Sequence, residues 1–387
     1  MSGAGQSKPN FAVVGAGIGG LAVAGLLSRA GIAVRVYEQA PAFERIGAGI
    51  QMGPNAMRVL RVLGIEPMLR RFAFYPPSWA NRVWDTGECL FEFPYGAESE
   101  ARYGAPYLLL HRGDLHAALF SALPENAIAY AKKLVDLDRT ASGVALRFAD
   151  GTSAVADVVI GADGIHSKVR EVLLGPERPK FTGFVAHRTV FPTALIDGVT
   201  VDTCTKWWGP DRHIVIYPVN AARSETYFVT SVPDPTWDVE SWSATGDMTE
   251  VFEAMAGFHA DVQRVLEACP QVHKWALFVR DPLPRWSDGP VALLGDACHP
   301  MTPYMAQGAA CAVEDAAILA RCIAAADGGD IGEAFRRYEA TRLERASRLQ
   351  LVSRQNEWGK ERMDPTWVYG YDAWTAPIAE APAAAAE

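Results

Sequence analysis

The start of the chain alternates between short apolar runs and glycine-rich turns. The apolar run FAVV (residues 11–14) is followed by GAGIGG, by the longer apolar run LAVAGLLSRA and by a second short run, AVRVYE (33–38). A short apolar run bounded by glycine is typical of a buried strand, and a run of about ten residues that ends at a glycine is typical of a helix. The pattern therefore predicts a βαβ unit of a parallel sheet.

The pattern changes twice further along the chain. Helices are predicted at about 54–63 and 114–123, and a hairpin over 144–162 with its turn at Asp150-Gly151. From about 181 to 232, polar and apolar residues alternate in aromatic-rich runs such as CTKWW and RHIVIYPV, which is typical of antiparallel strands. VALLGDACH (291–299) again has the pattern of a buried parallel strand, and two long helices are predicted after it, over 308–326 and 331–355. These elements predict an α/β fold: a Rossmann-like domain with an inserted, largely antiparallel β-sheet and C-terminal helices.

Composition and charge exclude several classes of protein. The chain has 387 residues, a formal net charge of −9 and no run rich in lysine and arginine, so nucleic acid is not expected as a partner. No apolar stretch reaches the roughly 18–20 residues of a membrane span, and the polar first residues, MSGAGQSKPN, do not form a signal peptide. The cysteines show no CxxC pair, which argues against a zinc site and a disulfide scaffold and favours reduced thiols in the cytoplasm. They are Cys89, Cys204, Cys269, Cys298, Cys311 and Cys322.

The glycine-rich turn carries a dinucleotide signature. Gly15, Gly17 and Gly20 form G-x-G-x-x-G directly after a predicted strand and before a predicted helix. In this arrangement the first glycine permits the tight turn, the second lets the backbone approach a pyrophosphate, and the third lets the helix pack on the strand. Glu38 ends the second strand, where a carboxylate can accept hydrogen bonds from ribose hydroxyls.

Two later segments indicate which dinucleotide binds. Asp163 and Asp296 each follow a glycine or a Gly-Ala pair at the end of an apolar strand, and Gly308 precedes a long predicted helix. An aspartate at such a place can hold a ribityl hydroxyl, and a helix N-terminus can stabilise negative charge on a reduced flavin ring. Each aspartate alone is more often a turn or cap residue. The three sites in this order favour a flavin dinucleotide.

GAGIGG with Glu38, GADGIHSKVR (161–170) and GDACHPMTPYMAQGAACAVEDA (295–316) together carry a family likeness. Through them the chain resembles the FAD-dependent aromatic hydroxylases, single-component flavoprotein monooxygenases, over nearly its whole length. The resemblance implies tightly bound FAD, with NADH or NADPH as co-substrate and no separate nicotinamide domain. It places Asp163 and Arg170 near the approach of the pyridine nucleotide. The FAD-binding residues that it implies are Gly15, Gly17, Gly19, Gly20, Glu38, Gln39, Arg112, Leu134, Asp163, Asp296, Gly308 and Ala309.

The resemblance also implies a division into domains. We expect residues 1–180 to form the first part of the FAD-binding domain and to supply some segments of the substrate pocket. Residues 181–280 are expected to form the β-sheet substrate domain, and residues 281–375 to complete the FAD-binding domain with the C-terminal helices. The Ala/Pro-rich residues 376–387 are expected to form a disordered tail.

Within this family, APAFERIGAGIQMGPNAM, CTKWW with DRHIVIY, and DPTWVYGYDAW are most similar to the members that hydroxylate 6-hydroxynicotinate. Those enzymes replace the carboxylate of a pyridine ring with a hydroxyl and release carbon dioxide. By this resemblance the substrate pocket contains Cys204, His213 and Tyr217. At two further pocket positions those enzymes have histidine, whereas this chain has Gln51 and Tyr304. The departure removes two titratable imidazoles from the expected site.

The residues themselves suggest a catalytic pair. In RHIVIY, the two-residue period of a strand places His213, Val215 and Tyr217 on one face. A histidine and a tyrosine that converge on a pocket can help to deprotonate a ring hydroxyl, and an imidazole with an ordinary pKa near ~6.5 suits the base. The alternative is a structural histidine beside a core tyrosine. Which of the two would be the principal base is left open.

The sequence therefore predicts an FAD-dependent aromatic-ring monooxygenase of aromatic catabolism. By the resemblance, NAD(P)H reduces the flavin, O₂ adds to form a C4a-hydroperoxide, and one oxygen passes to a ring activated by an ionised hydroxyl. The first substrate candidate is 6-hydroxynicotinate or a related pyridine carboxylate. The alternatives are a salicylate- or hydroxybenzoate-type hydroxylase, a para-substituted phenol hydroxylase and, less favoured, an NAD-dependent dehydrogenase or a non-catalytic flavin-binding protein. No metal is expected.

Two further expectations concern charged residues late in the chain. His299, in ACHPM, is expected to shape the loop at the flavin and to take no part in the chemistry. Arg342, Arg345 and Arg348 recur at every third position of an amphipathic helix, which predicts a solvated or subunit-facing surface. A homodimer is the partner that this surface would suggest.

Overall fold

The computed structural model describes residues 9–45, 47–237 and 244–381. Its strands, in chain order, are β1 (Phe11–Val14), β2 (Val34–Tyr37), β3 (Gly49–Met52), β4 (Ser78–Val83), β5 (Cys89–Pro94), β6 (Leu108–His111), β7 (Ile128–Ala129), β8 (Leu134–Thr140), β9 (Gly143–Phe148), β10 (Ser153–Ala156), β11 (Val158–Gly161), β12 (Lys180–Pro192), β13 (Cys204–Trp208), β14 (His213–Pro218), β15 (Glu225–Pro233), β16 (His273–Val279), β17 (Ser287–Asp288) and β18 (Val291–Leu293).

The helices connect and cover these strands. In chain order they are α1 (Ile18–Arg29), α2 (Pro54–Val62), α3 (Glu66–Phe72), α4 (Gly96–Tyr103), α5 (Arg112–Phe120), α6 (Lys168–Leu174), α7 (Met248–Ala254), α8 (Ala260–Glu267), α9 (Gly308–Ala326), α10 (Ile331–Gln355) and α11 (Thr366–Tyr369). Within the described ranges, no helix combines the length and the apolar character that crossing a membrane requires.

A six-stranded sheet in the order β17-β18-β11-β1-β2-β7 forms the centre of the first layer. Its strand β1 pairs in parallel with both β2 and β11, and Val13 lies opposite Val36 and Ile160. The residues of β1 are all buried, and helix α1 packs against α9 beside the sheet. This confirms the predicted βαβ unit, because a parallel sheet covered on both faces requires continuous apolar strands.

The turn between β1 and α1 depends on glycine. Gly15 has a φ of +101°, in the region that side chains other than glycine rarely adopt. A Cβ on Gly20 would lie 2.0 Å from the carbonyl oxygen of Gly15, so the helix can approach the turn only without a side chain there. The roles predicted for these two glycines within the turn are confirmed.

A second sheet has seven strands in the order β16-β12-β15-β14-β13-β4-β5. All its neighbours are antiparallel except β13 and β4, which pair in parallel. Residues 180–279 thus supply five strands, and residues 78–94 supply the other two. This confirms the predicted fold class of a Rossmann-like domain with an inserted, largely antiparallel sheet.

Smaller elements link the two sheets. Strands β8, β9 and β10 form a three-stranded antiparallel sheet that contains the predicted hairpin at Asp150-Gly151, and β3 pairs with β6. The division of the chain into domains stays a prediction. In the C-terminal segment, the amide of Ala379 donates to Thr341 Oγ1 at 2.9 Å. Residues 382–387 of the expected tail lie outside the described residues.

The prediction of a solvated arginine surface on α10 is wrong for Arg342. Its side chain is fully buried, with Nε 2.7 Å from Asp315 Oδ1 and Nη1 2.7 Å from Glu314 Oε2. Arg345 also pairs with Glu314, at 2.8 Å. Arg348 alone of the three is exposed. The helix turns its first two arginines inward because α9 presents two buried carboxylates there, so this spacing gives no support to a subunit interface.

This ion pair cluster generates a stability prediction. Replacing Arg342 by methionine leaves the Asp315 and Glu314 carboxylates buried with less positive charge beside them, and such a loss typically costs about 3–5 kcal/mol. We expect Arg342→Met to lower the free energy of unfolding by that amount in urea denaturation. Arg348→Met, on the same helix, should change it by less than about 1 kcal/mol. Equal small effects of both substitutions would contradict the importance of the cluster.

Candidate active site

A cavity of about 450 Å³ lies between the loops that follow β1, β11 and β18 of the six-stranded sheet and the strands of the seven-stranded sheet. One end is lined by the glycine-rich turn, Gly17 to Gly19, and by the N-terminal residues of α9. The other end is lined by side chains of β13 and β14 in the seven-stranded sheet. The structure thus brings together residues that lie up to 295 positions apart in the sequence, from Gly17 to Ala312.

The glycine end has the shape and donors that a dinucleotide needs. A Cβ built on Gly17 meets nothing within 4 Å, so the space beside this backbone is open to a ligand. The Glu38 carboxylate lies against the same turn and accepts from the amides of Ala16 at 2.7 Å and Ala40 at 2.8 Å. Gln39 follows it, and Leu134 begins β8 as a buried residue, but neither lines the cavity.

Arg112, Asp296 and the first residues of α9 also line the cavity. Gly308 and Ala309 both line it, and α9 continues for 19 residues, so its N-terminus directs partial positive charge towards the cavity. Desolvation by the surrounding protein lowers the pKa of Arg112 and raises that of Asp296, and each charge partly opposes the shift of the other. The predicted flavin-ring end therefore has a cation, a carboxyl group and a helix N-terminus in one place.

Asp163 has a different position from these residues. It is not among the cavity-lining residues, and its carboxylate accepts from the amides of Lys168 at 2.7 Å and Val169 at 3.1 Å, and from the Ser167 hydroxyl. Its neighbours Ala162 and Gly164 do line the cavity. The carboxylate thus holds the start of α6, the cap interpretation weighed from the sequence, and its predicted contact with the cofactor stays a prediction.

His213, Val215 and Tyr217 all line the far end of the cavity, as the two-residue period predicts. His213 is buried, and its Nδ1 has no hydrogen-bond partner in the described structure. Burial, and then the nearby Lys206, lower the pKa of His213 well below that of a free histidine. Burial likewise raises the pKa of Tyr217 well above its ordinary value, so this phenol keeps its proton at neutral pH.

Gln51 connects the pocket to a buried tyrosine cluster. Its Oε1 accepts from the Tyr107 hydroxyl at 2.6 Å, and its Nε2 lies 3.8 Å from Cys204 Sγ. Tyr107 stacks on Tyr95 at 4.2 Å between ring centroids, and the Tyr95 hydroxyl lies 3.1 Å from that of Tyr369 in α11. Cys204 is fully buried, which raises the pKa of its thiol, and it lies behind the cavity wall.

Tyr304 closes the pocket on the other side. Its hydroxyl lies 2.9 Å from Ser231 Oγ, and its ring meets the His213 ring edge to face, with 5.5 Å between centroids. Both Tyr304 and Gln51 line the cavity, so the two positions where the similar enzymes have histidine do belong to this site.

The sequence reasoning missed two cations in the cavity wall, Lys206 and Arg188. Lys206 is 1% exposed and Arg188 2% exposed. A signal existed for Lys206: in CTKWW it shares a strand face with Cys204, which had been placed in the pocket. A charged residue on the inward face of an otherwise apolar strand is a candidate functional residue.

Near α9, His299, Cys311 and Asp315 place three possible metal ligands within 4.8 Å of one another. His299 Nε2 lies 2.5 Å from Asp315 Oδ2, which raises the pKa of the imidazole, and Arg342 donates to both Asp315 and Cys311 Sγ. The guanidinium thus supplies the positive charge that a metal ion would bring. The amide of Gly295 also donates to Asp315 Oδ2, at 3.2 Å, so this cluster fixes the loop that carries Asp296.

Comparison with known proteins assigns the family. Residues 9–353 match a family described as an FAD binding domain. The chain is 50% identical to 6-hydroxynicotinate 3-monooxygenase of Bordetella bronchiseptica, over 98% of this chain and 100% of the relative. The chain belongs to the FAD-dependent aromatic-ring monooxygenases. Another relative, 3-amino-4-hydroxybenzoate 2-monooxygenase PtmB3 of Streptomyces platensis, is 40% identical over 96% of this chain and 98% of that protein.

A solved structure supports the same assignment. HpxO of Klebsiella pneumoniae, crystallised with FAD and uric acid, is 30% identical and superposes with a TM-score of 0.80. The match covers 90% of this monooxygenase and 87% of HpxO. FAD is therefore the cofactor, and the open cradle at Gly17, the partly buried Arg112 and the α9 N-terminus fit it. The resemblance stated from the sequence, the enzyme class and the cofactor are confirmed, and the NAD-dependent dehydrogenase alternative is excluded.

Gly17 and Gly20 test the cofactor cradle against the fold. A side chain on Gly17 would enter open space, so Gly17→Leu should abolish FAD retention, read from flavin absorbance per protein. It should leave the urea midpoint of the FAD-free protein unchanged. Gly20→Ala places its Cβ against the Gly15 backbone, so it should lower that midpoint as well. If Gly17→Leu retains FAD fully, the cradle is wrongly placed.

Proposed function

We propose that this monooxygenase hydroxylates a hydroxylated pyridine carboxylate, with 6-hydroxynicotinate as the first candidate, and releases the carboxylate as carbon dioxide. The observation that carries the proposal is one cavity in which His213 and Tyr217 stand at the end opposite the cofactor cradle. The relative at 50% identity, named for 6-hydroxynicotinate, supports this substrate class.

The chain holds the cofactor through the turn at Gly17 and Gly19, Glu38, Arg112 and the N-terminus of α9. Held there, FAD would supply the redox chemistry, with NADH or NADPH as the hydride donor and O₂ as the source of one oxygen atom for the ring and one for water. The contribution of the chain's own residues is to place the ring, to exclude water and to move one proton.

His213 is the group suited to take the proton of the ring hydroxyl. Its lowered pKa keeps the imidazole neutral at pH 7, and its unpartnered Nδ1 leaves a nitrogen free to accept. Removing this proton pushes electron density from the hydroxyl oxygen of the substrate into the ring, onto the carbon that is hydroxylated. In 6-hydroxynicotinate the carbon that carries the carboxylate lies para to the carbon that carries this hydroxyl.

Tyr217 has the complementary role of a hydrogen-bond donor. Because its pKa is raised, the Tyr217 hydroxyl stays protonated. It can then donate a hydrogen bond to the hydroxyl oxygen of the substrate as negative charge builds on that oxygen. The nearby Gln51 side chain opposes part of this rise in the pKa of Tyr217. These shifts support His213 as the base and Tyr217 as the hydrogen-bond donor of the pair.

Gln51 and Tyr304 define how this site departs from the enzymes that it resembles. Both side chains are uncharged at neutral pH; Gln51 does not titrate, and burial raises the pKa of Tyr304 further. His213 is therefore the histidine that can accept a proton among the described residues that line the pocket near β14. We expect the two positions to tune which ring is preferred while the class of chemistry is kept.

The cellular setting follows from the reaction. NADH or NADPH and a small aromatic ring, with O₂, are the partners that the proposed reaction needs, and the six cysteines of the chain are free. Both features favour the cytoplasm, which we propose as the location.

The direct test follows NADH oxidation and product mass with the purified holoenzyme under air. Side by side, 6-hydroxynicotinate, 4-hydroxybenzoate and 4-nitrophenol are supplied. We expect 6-hydroxynicotinate to give a product that has lost the carboxyl group and gained a hydroxyl, with equimolar carbon dioxide. A hydroxylated phenol without turnover of the pyridine acid would show that Gln51 and Tyr304 have changed the substrate. No stimulation by any ring would sink the proposed function.

The assignment of base and donor generates a second prediction. His213→Asn should lower kcat by about 10²–10⁴-fold at pH 7, the usual contribution of a general base. Because the pKa of His213 is lowered, the wild-type kcat/KM should stay flat down to pH 6.5 and fall only at more acid pH, as the imidazole is protonated.

Tyr217→Phe provides the matched comparison. It removes one hydrogen-bond donor, so coupled hydroxylation should fall while the bound FAD per protein stays at the wild-type level. The acid limb of kcat/KM should remain, since the base is intact. Loss of FAD together with activity would show Tyr217 to be structural, and loss of the acid limb in this variant would make Tyr217 the base.

A further inference from the structure

Lys206 lies in the middle of the seven-stranded sheet with its side chain in the cavity wall. Strand β13 is flanked by β14 and β4, so that Lys206 is opposite both Val215 and Asn81. The residue is 1% exposed, and it lines the cavity at the end occupied by His213 and Tyr217. Its Nζ makes a cation–π contact with the Trp208 ring, whose centroid lies 3.7 Å away.

A second buried lysine of the same sheet shows what is unusual about Lys206. Lys274, in β16, is 4% exposed, and its Nζ lies 2.6 Å from Glu250 and 2.9 Å from Asp234. Over the ranges that the structure describes, Lys206 makes no ion pair or hydrogen bond with a carboxylate. A buried ammonium without a counter-charge costs several kcal/mol, so the fold alone gives no reason to keep this lysine.

The cavity as a whole has an excess of positive charge. Arg112, Arg188 and Lys206 line it, and among the described residues that line it Asp296, which interacts with Arg112, is the one carboxylate. The Arg188 guanidinium lies 3.7 Å from the centroid of the Trp275 ring. Tyr227 is on β15, the strand that pairs with both β12, which carries Arg188, and β14, which carries Tyr217. In the part of the chain that the structure describes, the lining of the substrate end thus contains cations and no acid, which favours an anionic ligand.

We propose that Lys206 binds the carboxylate of the substrate and makes a ring acid, as opposed to a neutral phenol, the substrate class of this enzyme. The inference rests on the proposed function and deepens it. Burial lowers the pKa of Lys206 well below that of a free lysine. The arriving carboxylate stabilises the ammonium, and the hydrogen bond between them then fixes the ring with its hydroxyl towards His213 and Tyr217.

The test compares acids with their uncharged carboxamides. Oxidised holoenzyme without NADH is titrated with 6-hydroxynicotinate and 6-hydroxynicotinamide, and with 4-hydroxybenzoate and 4-hydroxybenzamide, and Kd is read from the change in flavin absorbance. In the wild type we expect each acid to bind about 10- to 100-fold more tightly than its amide, the usual worth of a hydrogen bond between charged groups. Equal affinity of acid and amide for the wild type overturns the proposal without any variant.

Variants then assign the preference to one side chain. Lys206→Met keeps the length of the side chain without its charge, so it should weaken the acids about 10- to 100-fold and the amides less than about threefold. Lys206→Arg should retain most of the preference. Lys360→Met is the control, because Lys360 is exposed at an outer cavity of about 430 Å³ that shares Tyr304 and His213 with the inner one. This variant tests whether a positive charge outside the substrate pocket is enough to produce the preference for acids.

The outcomes separate this inference from the proposed function. If Lys206→Met weakens acid and amide equally, or Lys360→Met removes the preference, Lys206 does not bind the carboxylate. Hydroxylation of the rings by the wild type would then still support the proposed function. If no ring stimulates NADH oxidation, the proposed function fails, whereas a preference for acids that depends on Lys206 would still show an anion-binding residue.

Discussion

The buried contact between Arg342 and Asp315 connects the parts of the fold that the site needs. Asp315 lies on α9, whose first residues face the cavity, and it also accepts from the Gly295 amide and pairs with His299. One carboxylate therefore fixes the position of the helix N-terminus relative to the loop of Asp296. Since an unpaired buried charge is so costly, removing either the arginine or its carboxylate partners alone destabilises the fold.

The sequence predicted the parts of this molecule that repeat a simple period. The βαβ unit, the two late helices and the face of His213 and Tyr217 follow from apolar spacing, and glycine at fixed positions specifies the turn. The inward turn of Arg342 could not be predicted, because it depends on carboxylates contributed by another helix. For the same reason the parallel pairing of β4 with β13, residues more than a hundred positions apart, was not foreseen.

Buried charged side chains are stabilised in two different ways in this protein. Beside α9, Arg342 and Arg345 each have a carboxylate of that helix within 3 Å, which makes a rigid frame. Around the substrate end, Lys206 has an aromatic face and no acid. The ion pairs beside α9 balance their own charges and position the cofactor-binding residues. The charge of Lys206 in the cavity wall is instead balanced when an anionic substrate binds. The balance of charge thus distinguishes the region beside α9, which supports the fold, from the substrate end of the cavity, which recognises the ligand.

The tyrosine cluster gives the late chain a part in the pocket. Gln51 is held by Tyr107, Tyr107 stacks on Tyr95, and Tyr95 bonds to Tyr369 of α11, while Arg345 donates to the carbonyls of Trp367 and Val368. During synthesis on the ribosome, Gln51 emerges more than three hundred residues before Tyr369. A nascent chain therefore cannot complete the substrate wall until α11 has left the exit tunnel, so that premature termination near residue 360 would yield a protein with its FAD cradle but an unfinished pocket.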